Sequence, residues 1–356
     1  MLKARDISST VIDTWVESLD AEEILKRITS FNSDLAVIEC FTSTVHVAES
    51  LCALLKKQGI PRVVFGQHPT ALPETILYAG SPIEICVVGE AENTILELID
   101  LFRGDKKKTA ISGIAYYDKK RRKVVRTPRR ELIQNLDSLP MPAFELFVGK
   151  SYVLHSGEAN VFGRVRWGFL LSSRGCPHSC IYCSPTLRQS YGKKFRANSP
   201  ERVVREILKL KRLGINAVYF ADDIATLDQT RMERICDIII KKKIRICWVV
   251  QTRIDALNPA LMKKMKKAGC STLSLGIESA NQRILDILQK NLSRTTIEQN
   301  LRMLKKNGFS LNLYFMIGNP TETMEEMEET FRFIKKYRPL IIQVAFFTPY
   351  PGSRIY

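Results

Sequence analysis

Apolar and polar positions alternate in two different rhythms along the first hundred residues. The amphipathic stretch "DAEEILKRITSF" (20–31) predicts a helix, and the apolar run "DLAVIECF" (34–41) that follows predicts a strand. "HVAESLCALLKKQGI" (46–60) reads as a second helix stopped at Gly59, before the strand "RVVFG" (62–66). "LPETILYAG" (72–80) reads as a helix, "IEICVVGE" (83–90) as a strand and "ENTILELIDLFRG" (92–104) as a helix. Strands that are apolar throughout, separated by helices, predict a parallel sheet covered on both faces. "ISGIAYYDKKRRKVVRTPR" (111–129) predicts a β-hairpin, and "LDSLPMPAFELF" (136–147), with prolines at 140 and 142, an extended linker between domains.

Beyond the linker the alternation lengthens. Strands are predicted near 167–173, 216–222, 245–252, 271–278, 311–318 and 341–348. Helices are predicted near 199–213, 228–242, 258–268, 281–289, 294–307 and 323–337. Six β/α units in series fit an open doubly wound sheet or a partial or full parallel barrel. In both architectures ligands bind at the C-terminal ends of the strands.

Composition removes several function classes. No apolar run approaches the roughly 18 residues that a membrane helix requires, and the N-terminus lacks the apolar core of a signal peptide, so a cytoplasmic protein is expected. The 54 Lys and Arg outnumber 37 Asp and Glu, but the basic runs at 241–243 and 262–267 fall on predicted helices and the run at 118–130 on the hairpin. These are solvated faces, and no nucleic-acid motif accompanies them, so no nucleic-acid partner is expected.

The chemistry concentrates in "LLSSRGCPHSCIYCSP" (171–186), directly after the first strand of the second half. Cys176, Cys180 and Cys183 stand in a loop flanked by Gly175 and Pro177, spaced so that three thiolates can reach one metal centre. Structural zinc is one reading, but it needs four ligands, drawn mostly as paired cysteines; His178, Cys236, Cys247 and Cys270 would be its candidates for the fourth. A [4Fe–4S] cluster held by three thiolates, with one iron left open, is the reading the spacing favours. Cys40, Cys52 and Cys86, like Cys236, Cys247 and Cys270, fall in predicted strands or helices and read as small core residues.

"CPHSCIYC" resembles the CxxxCxΦC signature of the radical S-adenosylmethionine (SAM) enzymes, with Tyr182 as the aromatic residue. "YFADDIATLD" (219–228), "WVVQTRIDAL" (248–257), "AGCSTLSLGIESAN" (268–281), "YFMIGNPTET" (314–323) and "FFTPYPGSRIY" (346–356) are similar, in order, to the strand-end motifs of the subgroup carrying an N-terminal cobalamin-binding domain. The resemblance implies an α/β protein with two parts. An incomplete Rossmann-like domain of the cobalamin-binding type would span 1–135, and after a linker (136–160) a partial (β/α)6 TIM-like barrel would span 161–356. It implies a [4Fe–4S] cluster on Cys176, Cys180 and Cys183, with SAM chelating the open iron and cleaved to a 5′-deoxyadenosyl radical.

The same resemblance suggests SAM contacts from Tyr182, Asp222, Asp223, Arg253, Glu278, Ser279 and Gly318. Each also has a plain structural reading: an aspartate as helix N-cap, Arg253 in a surface ion pair, Gly318 in a tight turn. For Glu278, a charge at an apolar strand end demands a partner, which favours function. In the N-terminal domain Thr42, Ser43, Gly66, His68, Gly89 and Glu90 would line a cobalamin site, with His68 a conceivable cobalt ligand. The subgroup's first strand and helix and its Asp-x-His-x-x-Gly motif are absent from this chain. A chain shortened at both ends, with weak or no cobalamin binding, is the resulting expectation.

The expected activity is radical chemistry on an unactivated carbon, by C-methylation or by oxidative cyclisation of the kind performed by the anaerobic magnesium-protoporphyrin monomethyl ester cyclase. The substrate would be a small molecule, acidic or lipid-like, and the electron donor an external flavodoxin or ferredoxin. Two alternatives stand beside it: a radical SAM methylthiotransferase or other RNA-modifying enzyme, and a zinc-stabilised non-catalytic α/β protein.

Overall fold

The computed structural model describes residues 1–14, 16–147, 165–183 and 190–356. The predicted linker beyond 147 and the first residues of the predicted barrel, 161–164, lie outside them. The chain divides by its internal contacts into two compact units. One comprises 1–134 with 183–194 and 349–356, the other 135–182 with 195–348.

The first unit is a five-stranded sheet in sequential order. β1 (Ala36–Glu39), β2 (Arg62–Phe65) and β3 (Ile85–Val87) run parallel, while β4 (Ile114–Asp118) and β5 (Lys123–Arg126) form the predicted hairpin, antiparallel to β3. Helices α1 (Ala21–Ser30), α2 (Val45–Lys57), a short α3 (Gln67–Ala71) and α4 (Glu92–Phe102) connect them. Two apolar layers result. Cys40, Cys52, Val64 and Cys86 pack on one side, and Val63, Ile85, Val87 and Leu98 on the other. Where the sequence predicts a helix at 72–80, the structure has only a 3-10 turn, Pro73–Thr75. Ile76 and Leu77 reach the core from irregular backbone instead.

The second unit holds six parallel strands in the order β13-β12-β11-β10-β9-β6. They are β6 (Trp167–Leu170), β9 (Ala217–Phe220), β10 (Cys247–Thr252), β11 (Cys270–Glu278), β12 (Ser310–Ile317) and β13 (Ile341–Phe346). A two-stranded ribbon, β7 (Ser173–Arg174) with β8 (Arg196–Ala197), brackets the cysteine loop. Between the strands lie α5 (Pro200–Arg212), α6 (Gln229–Lys241), α7 (Pro259–Lys267), α8 (Gln282–Ile287), α9 (Arg294–Lys306) and α10 (Met324–Tyr337). Each of these helices opens on a side-chain cap that accepts a backbone N–H: Ser199, Asp228, Asn258, Asn281, Ser293 and Thr323, the last in a capping box with Glu326.

Alternate residues of these strands, among them Phe220, Trp248, Val250, Leu273, Leu275, Leu313 and Phe315, pack against the helices in one continuous core. Because every strand runs the same way, Ser172 and Ser173 after β6, Asp222 and Asp223 after β9, Arg253 after β10, Glu278 at the end of β11 and Gly318 after β12 all fall on one edge of the sheet. That edge is where the fold presents chemistry. No helix among the described residues is long and apolar enough to cross a membrane.

Candidate active site

The cysteine loop leaves β7 at Arg174 and turns on Gly175, whose φ of +88° suits a residue without a side chain. None of the nine cysteines is in a disulfide; Cys180 is buried, and Cys176 and Cys183 are half-buried. Burial chiefly pushes the Cys176 thiol up, the neighbouring Asp223 and Cys180 adding to the effect and Arg253 opposing it. Among the described residues no three His, Cys, Asp or Glu side chains converge as ligands of one ion must. A cubane makes a different demand, since each thiolate binds its own iron. Core cysteines contrast with the loop: burial holds Cys52 and Cys236 up to about 12, and places Cys86 and Cys270 well above the ordinary thiol value. Cys236, Cys247 and Cys270 lie in α6, β10 and β11 as expected.

The two aspartates after β9 have separate surroundings. Asp222 is fully buried and accepts hydrogen bonds from the hydroxyls of Ser172 (2.9 Å) and Ser173. It therefore secures the turn from which the cysteine loop springs. Neither aspartate caps a helix; Asp228 does. Asp223 has no hydrogen-bond partner among the described residues. Burial, reinforced by the adjacent Asp222, raises its carboxyl to about 7. A carboxylate so placed lacks a cation, and an ammonium group would supply one.

This gives a stability prediction with a definite sign. The unfolded Asp223 ionises near the ordinary carboxylate value, the folded one near 7. Folding is therefore penalised progressively from about pH 4 to pH 7. Asp223→Asn should leave metal-free protein unchanged near pH 4 and stabilise it by about 2–4 kcal/mol above pH 7, as measured by urea unfolding. An equal effect at both pH values would show that the gain has another origin.

Arg253, 6% exposed, is held in a fork by Asp255, with Nε to Oδ1 at 2.9 Å and Nη2 to Oδ2 at 2.8 Å. Burial works against its charge, but Asp255 outweighs burial and keeps the guanidinium above its ordinary value. Among the described residues its buried Nη1 has no acceptor. A buried orphan donor costs about 1–3 kcal/mol, and an anionic group arriving there would remove that cost. Glu278 Oε1 accepts from Lys290 Nζ (2.8 Å) and from the Tyr182 hydroxyl (3.0 Å). Among the described residues Oε2 has no partner. Ser279, also fully buried, turns its hydroxyl to Thr330 of α10 (3.3 Å) and to the Asn281 amide (3.1 Å), so it braces a helix end. Gly318 is exposed at φ +69°, with open space where a side chain would stand. Lys290 and Asp255 were not singled out in the sequence.

These features fit the groups that the resemblance implies. Three cysteines outside any disulfide stand in one loop, an orphan guanidinium nitrogen suits a carboxylate, an unpaired carboxyl at Asp223 suits an ammonium, and a bare glycine suits a flat ring.

In the first unit the C-terminal ends of β1, β2 and β3 share one edge. Gly66, at φ +116°, admits no side chain, since a Cβ would lie 2.8 Å from the Cys40 carbonyl oxygen; Gly89, at φ +92°, faces open space. Ser43 is exposed, and the Glu90 carboxylate is buried, accepting from the Ile133 amide (2.8 Å). His68 is buried with both ring nitrogens occupied, Nδ1 by the Thr42 hydroxyl (3.2 Å) and Nε2 by the Thr75 hydroxyl (2.9 Å). Burial pulls its pKa down. Gly66 serves the close approach of the Cys40 backbone and only Gly89 leaves room for a ligand, while His68 is committed within the fold rather than offered to a cobalt.

Comparison with known proteins agrees with this geometry. The model of the Radical SAM superfamily matches residues 170–334, and that of the B12 binding domain matches residues 1–99. An uncharacterized methyltransferase of Pyrococcus horikoshii is 34% identical over 97% of this chain and 73% of its own length. The anaerobic magnesium-protoporphyrin IX monomethyl ester cyclase of Rubrivivax gelatinosus is 28% identical over 100% of this chain and 64% of its own length. That of Cereibacter sphaeroides is 25% identical over 97% and 56%. The chain thus spans roughly half to three quarters of these curated relatives. The radical SAM methyltransferase TsrM of Kitasatospora setae, solved with cobalamin and a [4Fe–4S] cluster, superimposes with a TM-score of 0.81 at 16% identity, over 99% of this chain and 69% of that one. OxsB, a cobalamin-dependent SAM radical enzyme solved with aqua-cobalamin and SAM, gives 0.78 at 18% identity over 100% and 50%. At such identities the structures share the fold.

Proposed function

Because the chain belongs to the radical SAM superfamily, in the group that joins a B12-binding domain to the barrel, we propose that it is an enzyme alkylating or oxidising an unactivated carbon of a small molecule. Cys176, Cys180 and Cys183 would hold the [4Fe–4S] cluster. Arg253 Nη1 would take the SAM carboxylate, Asp223 its ammonium, Glu278 Oε2 a hydroxyl or the ammonium, and the backbone at Gly318 the adenine. When bound, the cluster and SAM supply one-electron cleavage of a carbon–sulfur bond, the source of a hydrogen-abstracting radical. The protein's own part is to orient: Asp255 aims Arg253, Asp222 anchors the cysteine loop through Ser172 and Ser173, and Tyr182 packs within that loop.

The observation that carries the reading is the collection of the cysteine loop, the orphan Arg253 nitrogen and the unpaired Asp223 on one edge of a parallel sheet. The methyltransferases and cyclases among the relatives set its scope, C-methylation or oxidative ring closure. A cavity of about 300 Å³ beside β6 and β9, lined by Leu139, Phe144, Phe169 and Leu171 together with Arg174, Arg202 and Glu206, offers room of mixed apolar and charged character for part of a small-molecule substrate. In the first unit the open backbone at Gly89 would accommodate the corrin face, with His68 held by its two threonines rather than by cobalt. The electron would come from an external flavodoxin- or ferredoxin-type donor, and nine cysteines outside any disulfide suit a reducing, cytoplasmic setting.

The test is anaerobic reconstitution with iron and sulfide, followed by reductant and SAM. The expected result is a brown protein that forms 5′-deoxyadenosine. A fully loaded cluster without that product would overturn the enzymatic reading, and a colourless protein that retains zinc would replace it.

A further inference from the structure

The segment after α8 is the most strained stretch of the second unit. Gln289 (φ +51°) and Asn291 (φ +50°) both adopt left-handed backbone, on either side of Lys290. Asparagine tolerates that region, and glutamine pays for it. Twelve residues earlier Glu278 is also left-handed (φ +70°), at a register shift between β11 and β12 that follows Gly276. A Cβ on Gly276 would lie 2.5 Å from Glu278 Oε1 and 3.3 Å from Lys290 Nζ. Two unfavourable conformations, at Glu278 and Gln289, and a glycine whose missing side chain leaves room for the Glu278 carboxylate thus converge on a single pair of side chains. Strain of this kind persists only where the surroundings enforce it.

The pair reaches into the cysteine loop. Lys290 is 5% exposed, and its ammonium donates to Glu278 Oε1 (2.8 Å) and to the Tyr182 hydroxyl (3.0 Å). Tyr182 stands between Cys180 and Cys183. Two residues before Lys290, the Leu288 carbonyl accepts from the Ile181 amide (3.1 Å), and the Lys290 carbonyl accepts from Arg253 Nη2 (3.0 Å). Residues 288–290 therefore hold the loop by its backbone and by its aromatic side chain, and hold the Arg253 fork as well.

We propose that Lys290 is a positioning residue for the cysteine loop, its ammonium locking Tyr182 against Glu278 and its carbonyl locking Arg253, so that the loop is shaped for the cluster before SAM arrives. This rests on the reading of the loop as a [4Fe–4S] site. It assigns Lys290 to the cluster's frame, acting through Tyr182 rather than by touching SAM.

The experiment compares wild type, Lys290→Met, Lys290→Arg and Tyr182→Phe after reconstitution, with circular dichroism melts confirming the fold. Iron and sulfide per chain and the electron paramagnetic resonance spectrum of the reduced cluster are read without SAM, and SAM affinity is read separately. Lys290→Met should hold less than half the wild-type iron and give a broadened SAM-free spectrum. Tyr182→Phe, which keeps the Lys290–Glu278 pair, should shift the spectrum in the same direction by less, and Lys290→Arg should recover most of the iron. Wild-type iron and an unchanged SAM-free spectrum in Lys290→Met would overturn the proposal; a fall confined to SAM affinity would make Lys290 a SAM contact instead. If Lys290→Met does not fold, Tyr182→Phe decides, and a spectrum identical to wild type overturns the proposal. A wild type that takes up no cluster sinks the functional reading and this one with it, whereas a normal wild-type cluster with unaffected variants removes only the role of Lys290.

Discussion

Cys180→Ala is expected to abolish both the cluster and SAM cleavage while leaving the protein folded. Cys180 is the middle thiol of the loop and is buried, 8% exposed. The next residue is pinned by the Ile181–Leu288 backbone bond, so no neighbouring thiol can slide into its place. A three-thiolate cubane that loses one ligand keeps two protein contacts, and metal binding of this kind depends steeply on ligand number. Iron per chain should fall to background and 5′-deoxyadenosine formation by at least about a thousandfold, or roughly 4 kcal/mol in the barrier. Removing one sulfur from a loop residue costs the fold about 1 kcal/mol, so the circular dichroism melt should barely move. Cys236→Ala is the control. That thiol is fully buried in α6, where burial holds it up to about 12, a poor ligand. Its loss should lower stability somewhat and leave the iron in place. A full cluster in Cys180→Ala would show that the ligands were wrongly chosen.

The second unit was readable in the sequence because its strands are mostly apolar and its helices open on capping residues, as Ser199–Pro200 and Asn258–Pro259 do. Strand ends could thus be located to within a residue or two, and with them Asp222, Asp223, Arg253 and Glu278. What periodicity could not distinguish was backbone type in short apolar segments. Ile76 and Leu77 are buried as a helix at 72–80 would have them, yet they sit in irregular chain after Pro73. Nor did position reveal orientation. Ser279 follows Glu278 directly but faces Thr330, and His68 precedes Pro69 in a predicted loop but is buried between two threonine hydroxyls.

Lys290 escaped notice for a physical reason. It lies in a turn after a short helix, and its partners are 12 and 108 residues away in sequence. The available signal was "LQKN": a lysine between Gln289 and Asn291, in a chain where Gly276 had already surrendered a side chain near a buried glutamate. Pairing a buried acid with its base requires the fold, because the sheet alone brings β11, the end of α8 and the cysteine loop together.

Asp222→Ala should both destabilise this unit and loosen the cysteine loop. The carboxylate is fully buried and gathers the hydroxyls of Ser172 and Ser173, and Arg231 donates to the carbonyls of Ser172 (2.9 Å) and Asn198 (2.7 Å) beside it. Truncation strands two buried hydroxyls and removes the acid that supports Arg231 against the burial lowering its pKa. Stranded donors and an unsupported buried charge together are worth about 3 kcal/mol, read as a shift in the urea midpoint. The turn they hold opens the cysteine loop, so cluster retention should fall too. Asp222→Asn separates the causes. Burial raises the Asp222 carboxyl above the usual carboxylate range, so a neutral group suits the site, and the amide oxygen can still accept from both serines. Its nitrogen would replace Oδ2, which has no partner in the wild type. The expected cost is about 1 kcal/mol, with most of the iron kept. If asparagine proves as harmful as alanine, the charge facing Arg231 holds the turn and the serine hydrogen bonds are secondary. The two neighbouring aspartates would then differ even more sharply, because the amide that damages position 222 is the one expected to stabilise position 223 above pH 7.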